Sequence, residues 1–358
     1  MPLRERPRVA IIAPGPAIIG GQGIQARALL AALRADGYPV SFIPIDPDFP
    51  LGLGWLRQLR YARTALNQAL YLPALIGLRR ADVAHVFAAS YWSFLLAPAP
   101  AILAARCLGR RVVLHYHSGE ADDHLARWGA SVRPWLDIAD AIVVPSEYLR
   151  NVFVHHGYAA RVIPNIVDSL AFRFRERGRL RPRLLSVRNL EPHYGVDRIL
   201  RAFAIVIRRR PDATLTVAGY GSAERDLRRL ATSLCRSGVR FVGRVEPPAM
   251  PALYDGADVL LNASVVDNQP LSILEAQLAG LPVVSTPTGD LARMVRNRET
   301  GLVVPADDPE AMAEAVMTLL EDPQLARGVA ARARSEAAAY SWSRVRAAWA
   351  GVYEGEAA

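Results

Sequence analysis

A series of short aliphatic runs separated by helix-length segments occupies the first half of the chain and then starts again in the second. Candidate strands lie at 8–13, 39–45, 82–87, 111–115 and 141–145, with a short piece at 161–163; the second series comprises 183–187, 213–218, 239–242, 259–262 and 282–285. Strands joined through helices must run parallel, because a parallel neighbour is reached only by a crossover, and such sheets are covered on both faces. A length of 358 residues exceeds what one hydrophobic core comfortably serves, so the restart marks a second domain. The expected fold class is therefore α/β, with two Rossmann-like α/β/α domains whose parallel sheets face a central cleft. Between the series, an arginine-rich stretch without a clear period reads as the connection. It divides the chain into an acceptor-side domain at 1–178, a donor-side domain at 179–340 and a final helix at 341–358. Trp342, Val345, Trp349 and Val352 are spaced as one helix face and predict that this helix packs back on the first domain.

Composition excludes several classes. Hydrophobic residues make up 51% and charged residues 22%, too apolar for a disordered chain. The two cysteines, Cys107 and Cys235, suggest neither a disulfide framework nor a zinc site, and a reducing cytoplasm is expected. The most apolar window, 94–105, spans about 12 residues and contains Pro98 and Pro100, short of the ~20 needed to cross a bilayer. The formal charge of +9 suits phosphorylated small molecules or an anionic membrane surface. No basic-aromatic platform or recognition motif points to nucleic acid. The segment from Trp55 to Arg63 mixes bulky apolar residues with arginines, which fits a helix lying on anionic lipid at the inner membrane face and equally a helix covering its own domain.

The most informative stretch runs from Val265 to Ser285. A loop leaves a strand, a helix begins near Pro270, and Gly280-Leu281-Pro282 ends it. Amides over 269–273 at that helix start suit a phosphate or sugar oxygen, and Glu275 is placed to accept hydrogen bonds from ribose hydroxyls. A glutamate there also simply favours the helix dipole. Asp267, Asn268, Gln269, Pro270, Leu271 and Ser272 form the candidate donor-binding loop, joined by Gly219 and Gly221 in Thr216-Val217-Ala218-Gly219-Tyr220-Gly221. A glycine-rich loop, Gly20-Gly21-Gln22-Gly23, follows the first strand and admits close backbone approach to a donor phosphate or acceptor. His117 sits just beyond the strand ending near His115, suited to a sugar hydroxyl or to relaying an acceptor proton. His115 itself reads as a packed strand residue.

Glu275 with Ala276, Gly280, Pro282, Val283 and Val284 resembles the donor motif of the family 4 retaining glycosyltransferases, written Glu-x7-Glu followed by Ala-x-x-x-Gly-x-Pro-Val-Val. Asp267 replaces the first glutamate. Val143-Val144-Pro145-Ser146, Val162-Ile163-Pro164-Asn165 and Tyr340-Ser341-Trp342 resemble further signatures, so the likeness runs along nearly the whole chain. It implies a GT-B fold and transfer of a hexose-type residue from a nucleotide sugar to a hydroxyl acceptor, with cleft closure on binding. It implies same-face attack in which the leaving phosphate assists deprotonation, with no protein nucleophile, no cofactor and no catalytic metal. Glu275 would hold the ribose, Arg188 the diphosphate, and His117 the reacting hexose. The family pairs that arginine with a lysine; here Tyr194 or His193 takes its place. A sugar-nucleotide epimerase of the same architecture and a catalytically degenerate sugar-nucleotide binding protein are the alternatives. Asp46-Pro47-Asp48 and Gly21-x-Gly23-x-x-Ala26 imitate a metal-binding pair and a dinucleotide fingerprint. Turn chemistry explains the first, and the loop at 14–19 sets the second too far from its strand.

Overall fold

A computed structural model of the chain describes residues 6–15, 20–50, 52, 55 and 59–356. The chain divides into two compact units, one of residues 1–166 and 342–358, the other of residues 167–341.

The first unit carries a parallel six-stranded sheet: β1 (Val9–Ala13), β2 (Val40–Pro44), β3 (Val83–Ala88), β4 (Arg111–Tyr116), β5 (Ala141–Val144) and β6 (Arg161–Val162), in the order β2-β1-β3-β4-β5-β6. Its central strands are buried on both faces, which is why they read as unbroken aliphatic runs. On one face Ala10, Ile12 and Val86 meet the helix Pro98–Cys107 through Ile102; on the other, Ile11, Phe87 and Val113 meet the helix Trp342–Glu354 through Val345, Trp349 and Val352. The last helix of the chain is thus part of the first unit's core.

The second unit repeats the design with β7 (Arg183–Val187), β8 (Thr214–Ala218), β9 (Val239–Gly243), β10 (Val259–Asn262), β11 (Val283–Ser285) and β12 (Leu302–Val303), all parallel, in the order β12-β11-β10-β7-β8-β9. The two-residue edge strand β12 carries too little pattern to be legible in sequence. The helix Val196–Arg209 buries Val196, Ile199, Leu200, Phe203 and Val206 at spacings of three or four against this sheet. From β7 the chain proceeds outward through β8 and β9, then returns to lay β10 on the opposite side of β7. The strand order reverses between β7 and β10, the position at which open parallel sheets form a crevice beyond their carboxyl ends.

The division after Ile166 corrects the boundary expected near Arg179. Arg175 and Arg177 carry the connecting stretch into the second unit. The buried guanidinium of Arg177 donates to the carbonyls of Tyr254, Ala257 and Ala279, and Arg175 pairs with the buried Asp258 at 2.9 Å. Phe172 meets the Tyr254 ring edge-on at 5.7 Å. An arginine-rich run without apolar period looks like solvated linker, yet these guanidiniums are bonded to buried carbonyls and a carboxylate of the second unit.

Candidate active site

Arg188 leaves the carboxyl end of β7, and Asp267 lies on the loop leaving β10, its neighbour in the sheet. Arg188 Nη2 donates to Asp267 Oδ2 at 2.5 Å, with both side chains about nine-tenths buried (10% and 11% exposed). The guanidinium also stacks 4.1 Å from the centroid of the Tyr194 ring. Of the two residues, Tyr194 is thus the one that meets Arg188, offering it a π face, and His193 is exposed. Arg188 Nε is buried with no hydrogen-bond partner among the described residues, so the group keeps a donor to give.

Gly219 brings these parts together. Its φ is +143°, and an added Cβ would lie 1.8 Å from the carbonyl oxygen of Arg188. The Arg188 amide in turn donates to Ala218 O at 3.1 Å. Gly221 has the same relation to Leu190 O, where a Cβ would stand at 2.4 Å. Both glycines thus act by letting the β8 loop press against the loop that aims Arg188. Gly219→Ala is expected to destabilise the protein by about 3 kcal/mol in chemical denaturation; unchanged stability would contradict this packing.

The helix Leu271–Ala279 begins at Pro270 and ends at Gly280, which adopts a left-handed φ of +77°. Of the amides over 269–273, Pro270 has no N–H and Ile273 donates to Pro270 O at 3.2 Å. The first-turn amides of Leu271 and Ser272 have no backbone acceptor among the described residues, which narrows the candidate anion-binding donors to the helix start. The preceding loop is held from behind: Thr286 and Thr288 each donate to Ser264 O at 2.7 Å, and the Asn268 amide donates to Asp267 Oδ1 at 2.9 Å.

Glu275 projects from the second turn of this helix. Its Oε2 accepts from the Tyr254 hydroxyl at 2.7 Å. Burial pushes its carboxyl up to about 7, with the Tyr254 bond pulling the other way. Tyr254 is completely buried, and its hydroxyl is pushed well above its usual range by burial and by Glu275, while the Arg188 charge opposes that shift. Glu275 and Tyr254 thus form one hydrogen-bonded pair, and the Arg188 charge is felt at the same phenol. Tyr254 was not legible: a tyrosine in Ala252-Leu253-Tyr254 looks like any other core aromatic until its hydroxyl is seen to have a polar partner.

In the first unit, His117 is half-buried and stacks on Phe87 at 5.1 Å, its ring 4.0 Å from that of His115. Its Nε2 is buried and has no partner among the described residues. Burial lowers its pKa to about 3, which makes it a neutral hydrogen-bonding group near neutrality. Gly21 and Gly23 lie within the first turn of the helix Gly21–Ala35 and Gly20 is its N-cap, so the glycine-rich segment is a helix start. An added Cβ at Gly20 or Gly21 would meet nothing within 4 Å. Residues 16–19 of the preceding loop, and 56–58 of the basic amphipathic segment, lie outside the described residues; the helix there runs Arg60–Ala74. Asp46 Oδ1 accepts from the Gly15 amide at 2.5 Å, and Asp123 from Tyr91 at 2.6 Å, both turn and surface roles.

Comparison with known proteins agrees with this layout. Residues 181–322 match the family model for glycosyl transferases group 1, and residues 19–169 that for glycosyltransferase family 4. Glycogen synthase of Mycobacterium tuberculosis is 31% identical over 94% of this chain and 92% of its own length. The chain is a group 1, family 4 glycosyltransferase. A GDP-mannose-dependent monoacylated alpha-(1-6)-phosphatidylinositol monomannoside mannosyltransferase of Corynebacterium glutamicum is 38% identical, over 43% of this chain and 42% of that enzyme. Among solved structures, Anabaena HepE in complex with UDP-glucose superposes with a TM-score of 0.73 at 18% identity, covering 98% of this chain and 100% of that one. The glycosyltransferase therefore has the GT-B fold that the resemblance implies, and Arg188 and Asp267 are paired at the switch point of its second unit.

Proposed function

We propose that this glycosyltransferase takes a nucleotide sugar as donor and transfers a hexose-type residue to a hydroxyl acceptor with retention of configuration. The observation that carries this reading is the buried Arg188–Asp267 pair beyond β7 and β10, with Glu275 held by Tyr254 on the helix that follows the Asp267 loop. A half-buried carboxylate and a largely buried guanidinium, beside two amides free of backbone partners at a helix start, match the ribose and the diphosphate of one ligand. Arg188 and the Leu271 and Ser272 amides stabilise negative charge as the nucleoside diphosphate departs, so transition-state charge is met by fixed donors. We assign this neutralisation to them without a catalytic metal or cofactor. Asp267 holds Arg188 in place and lies where the donor sugar is oriented. His117 offers a neutral ring nitrogen to a sugar hydroxyl. With no side chain assigned as nucleophile, the leaving phosphate takes the acceptor proton. The mannosyltransferase and HepE relatives are described with GDP-mannose and UDP-glucose, which supports the donor class and leaves both bases as candidates.

Glu275 gives the test its sign. Ribose hydroxyls donate to a carboxylate, so binding favours the ionised form of a group that titrates near 7. Affinity for UDP-glucose or GDP-mannose, whose pyrophosphate does not titrate in this range, should rise about tenfold from pH 6 to pH 8 and stay flat in Glu275→Gln. Calorimetry across that range checks it. Absence of binding to every nucleotide sugar, or a pH slope kept in the variant, would overturn the assignment.

A lipid-linked acceptor at an anionic membrane is the finer form of this proposal. Tyr61 (85% exposed), Ile76 (56%) and Trp92 (66%) stand out from the first unit, with Arg63, Arg79 and Arg80 also exposed. Co-sedimentation with phosphatidylglycerol vesicles but not with phosphatidylcholine vesicles is expected; equal, negligible recovery would remove the idea.

A further inference from the structure

Three histidines and a tyrosine form a buried row in the first unit that no step above uses in full. His85 lies on β3 and His115 diagonally across from it on β4, where the register sets His85 beside Val113 and Phe87 beside His115. Tyr353 reaches them from the helix Trp342–Glu354, and His117 follows β4. His85 Nδ1 is 2.9 Å from the Tyr353 hydroxyl, and His85 Nε2 is 3.1 Å from His115 Nδ1. Trp349 and Phe87 enclose the row, with Trp349 centred 4.9 Å from His85 and 5.0 Å from His115. His85 is fully buried and His115 and Tyr353 nearly so.

Hydrogen-bond logic sets the direction of the row. The Tyr353 hydroxyl has no other partner among the described residues, and a phenol O–H is a stronger donor to an imidazole nitrogen than an imidazole N–H is to a phenol oxygen, so it donates to His85 Nδ1. His85 then carries its proton on Nε2 and donates to His115 Nδ1. His115 must in turn carry its proton on Nε2, an atom that is buried without a partner and belongs to a ring 4.0 Å from that of His117. All three rings are held neutral by burial, so the arrangement does not compete with an imidazolium form near neutral pH.

We propose that Tyr353, His85 and His115 are positioning residues for His117, a relay from the last helix that fixes the His115 tautomer and thereby the ring against which His117 is seated. The row accounts for a histidine on each of the two buried central strands β3 and β4. It rests on the reading of His117 as a sugar contact only for its effect on transfer; the tautomer itself is independent of any substrate. The relay makes the last helix a determinant of the candidate site rather than only a packing element.

Side-chain nitrogen NMR of the full chain, labelled with 15N-histidine, tests it. Wild-type protein should show His115 as a single neutral tautomer protonated at Nε2. Tyr353→Phe keeps the ring stacked on Trp349 and removes only the hydroxyl. It should give His115 a mixture of tautomers, shift the His117 nitrogens, and lower kcat for transfer about tenfold at unchanged donor KM. Wild-type His115 protonated at Nδ1, or an unaltered His115 tautomer in Tyr353→Phe, overturns the relay. An altered tautomer with wild-type kcat overturns its role in positioning. If no nucleotide sugar is bound at all, the donor proposal fails while the tautomer measurement still decides the relay.

Discussion

Glu275→Gln should make the protein more stable at pH 8 while lowering transfer at least tenfold. The carboxyl titrates near 7 in the folded chain against 4.5 for the free group, so the folded state holds a proton that the unfolded state has released. Stability from this group is fully present below pH 4.5 and is lost as the pH rises through about 7, amounting to about 3 kcal/mol over that window. Glutamine keeps the acceptor for Tyr254 and carries no charge to desolvate. Denaturant unfolding should therefore find variant and wild type alike at pH 4.5, with the variant ahead by about 3 kcal/mol at pH 8. Loss of activity follows because an amide accepts less strongly from the ribose hydroxyls than a carboxylate does. An enzyme that keeps a destabilised carboxylate in its site is trading stability for binding. Equal stability of the two proteins at pH 8 would show that Glu275 is ionised without cost and would remove the pH argument.

Arg188→Ala is expected to lose about 100-fold or more in kcat/KM and about 3 kcal/mol of stability. The two losses have different origins. Activity falls because the cation facing the diphosphate is gone. Stability falls because Asp267, only 11% exposed, is left as a charge without its partner. The double variant Arg188→Ala/Asp267→Ala should recover most of the stability and none of the activity, a separation that a double-mutant cycle reads directly. Arg188→Lys should not rescue, because an ammonium lacks the planar face that stacks on Tyr194. A simple additive outcome in stability would mean that the ion pair contributes nothing.

Much of this was legible beforehand because it depends on local pattern. Aliphatic runs such as Val9–Ala13 and Val259–Asn262 announce strands buried on both faces, and Pro270 with Gly280 brackets a helix. Glu275 and Arg188 were singled out because their neighbours carry a family spacing. What escaped is what depends on partners distant in sequence. The Tyr194 ring was one of two candidates until it was seen stacked on Arg188, and Tyr254 had no motif at all. The unit boundary was misplaced because Arg175 and Arg177 are polar in sequence but bonded to the second unit in space. Gly219 and Gly221 were read as contacts to a ligand; that their missing side chains also make room for the backbone of Arg188 and Leu190 could not be read from the sequence.

Because Trp349 and Val352 complete the core beneath β1, β3 and β4, the first unit is discontinuous along the chain. During synthesis the nascent sheet waits, with Phe87 and His85 uncovered, until the whole second unit has left the ribosome. Translation arrest before Trp342 would release a chain with one finished lobe and one open apolar face, a natural substrate for chaperones.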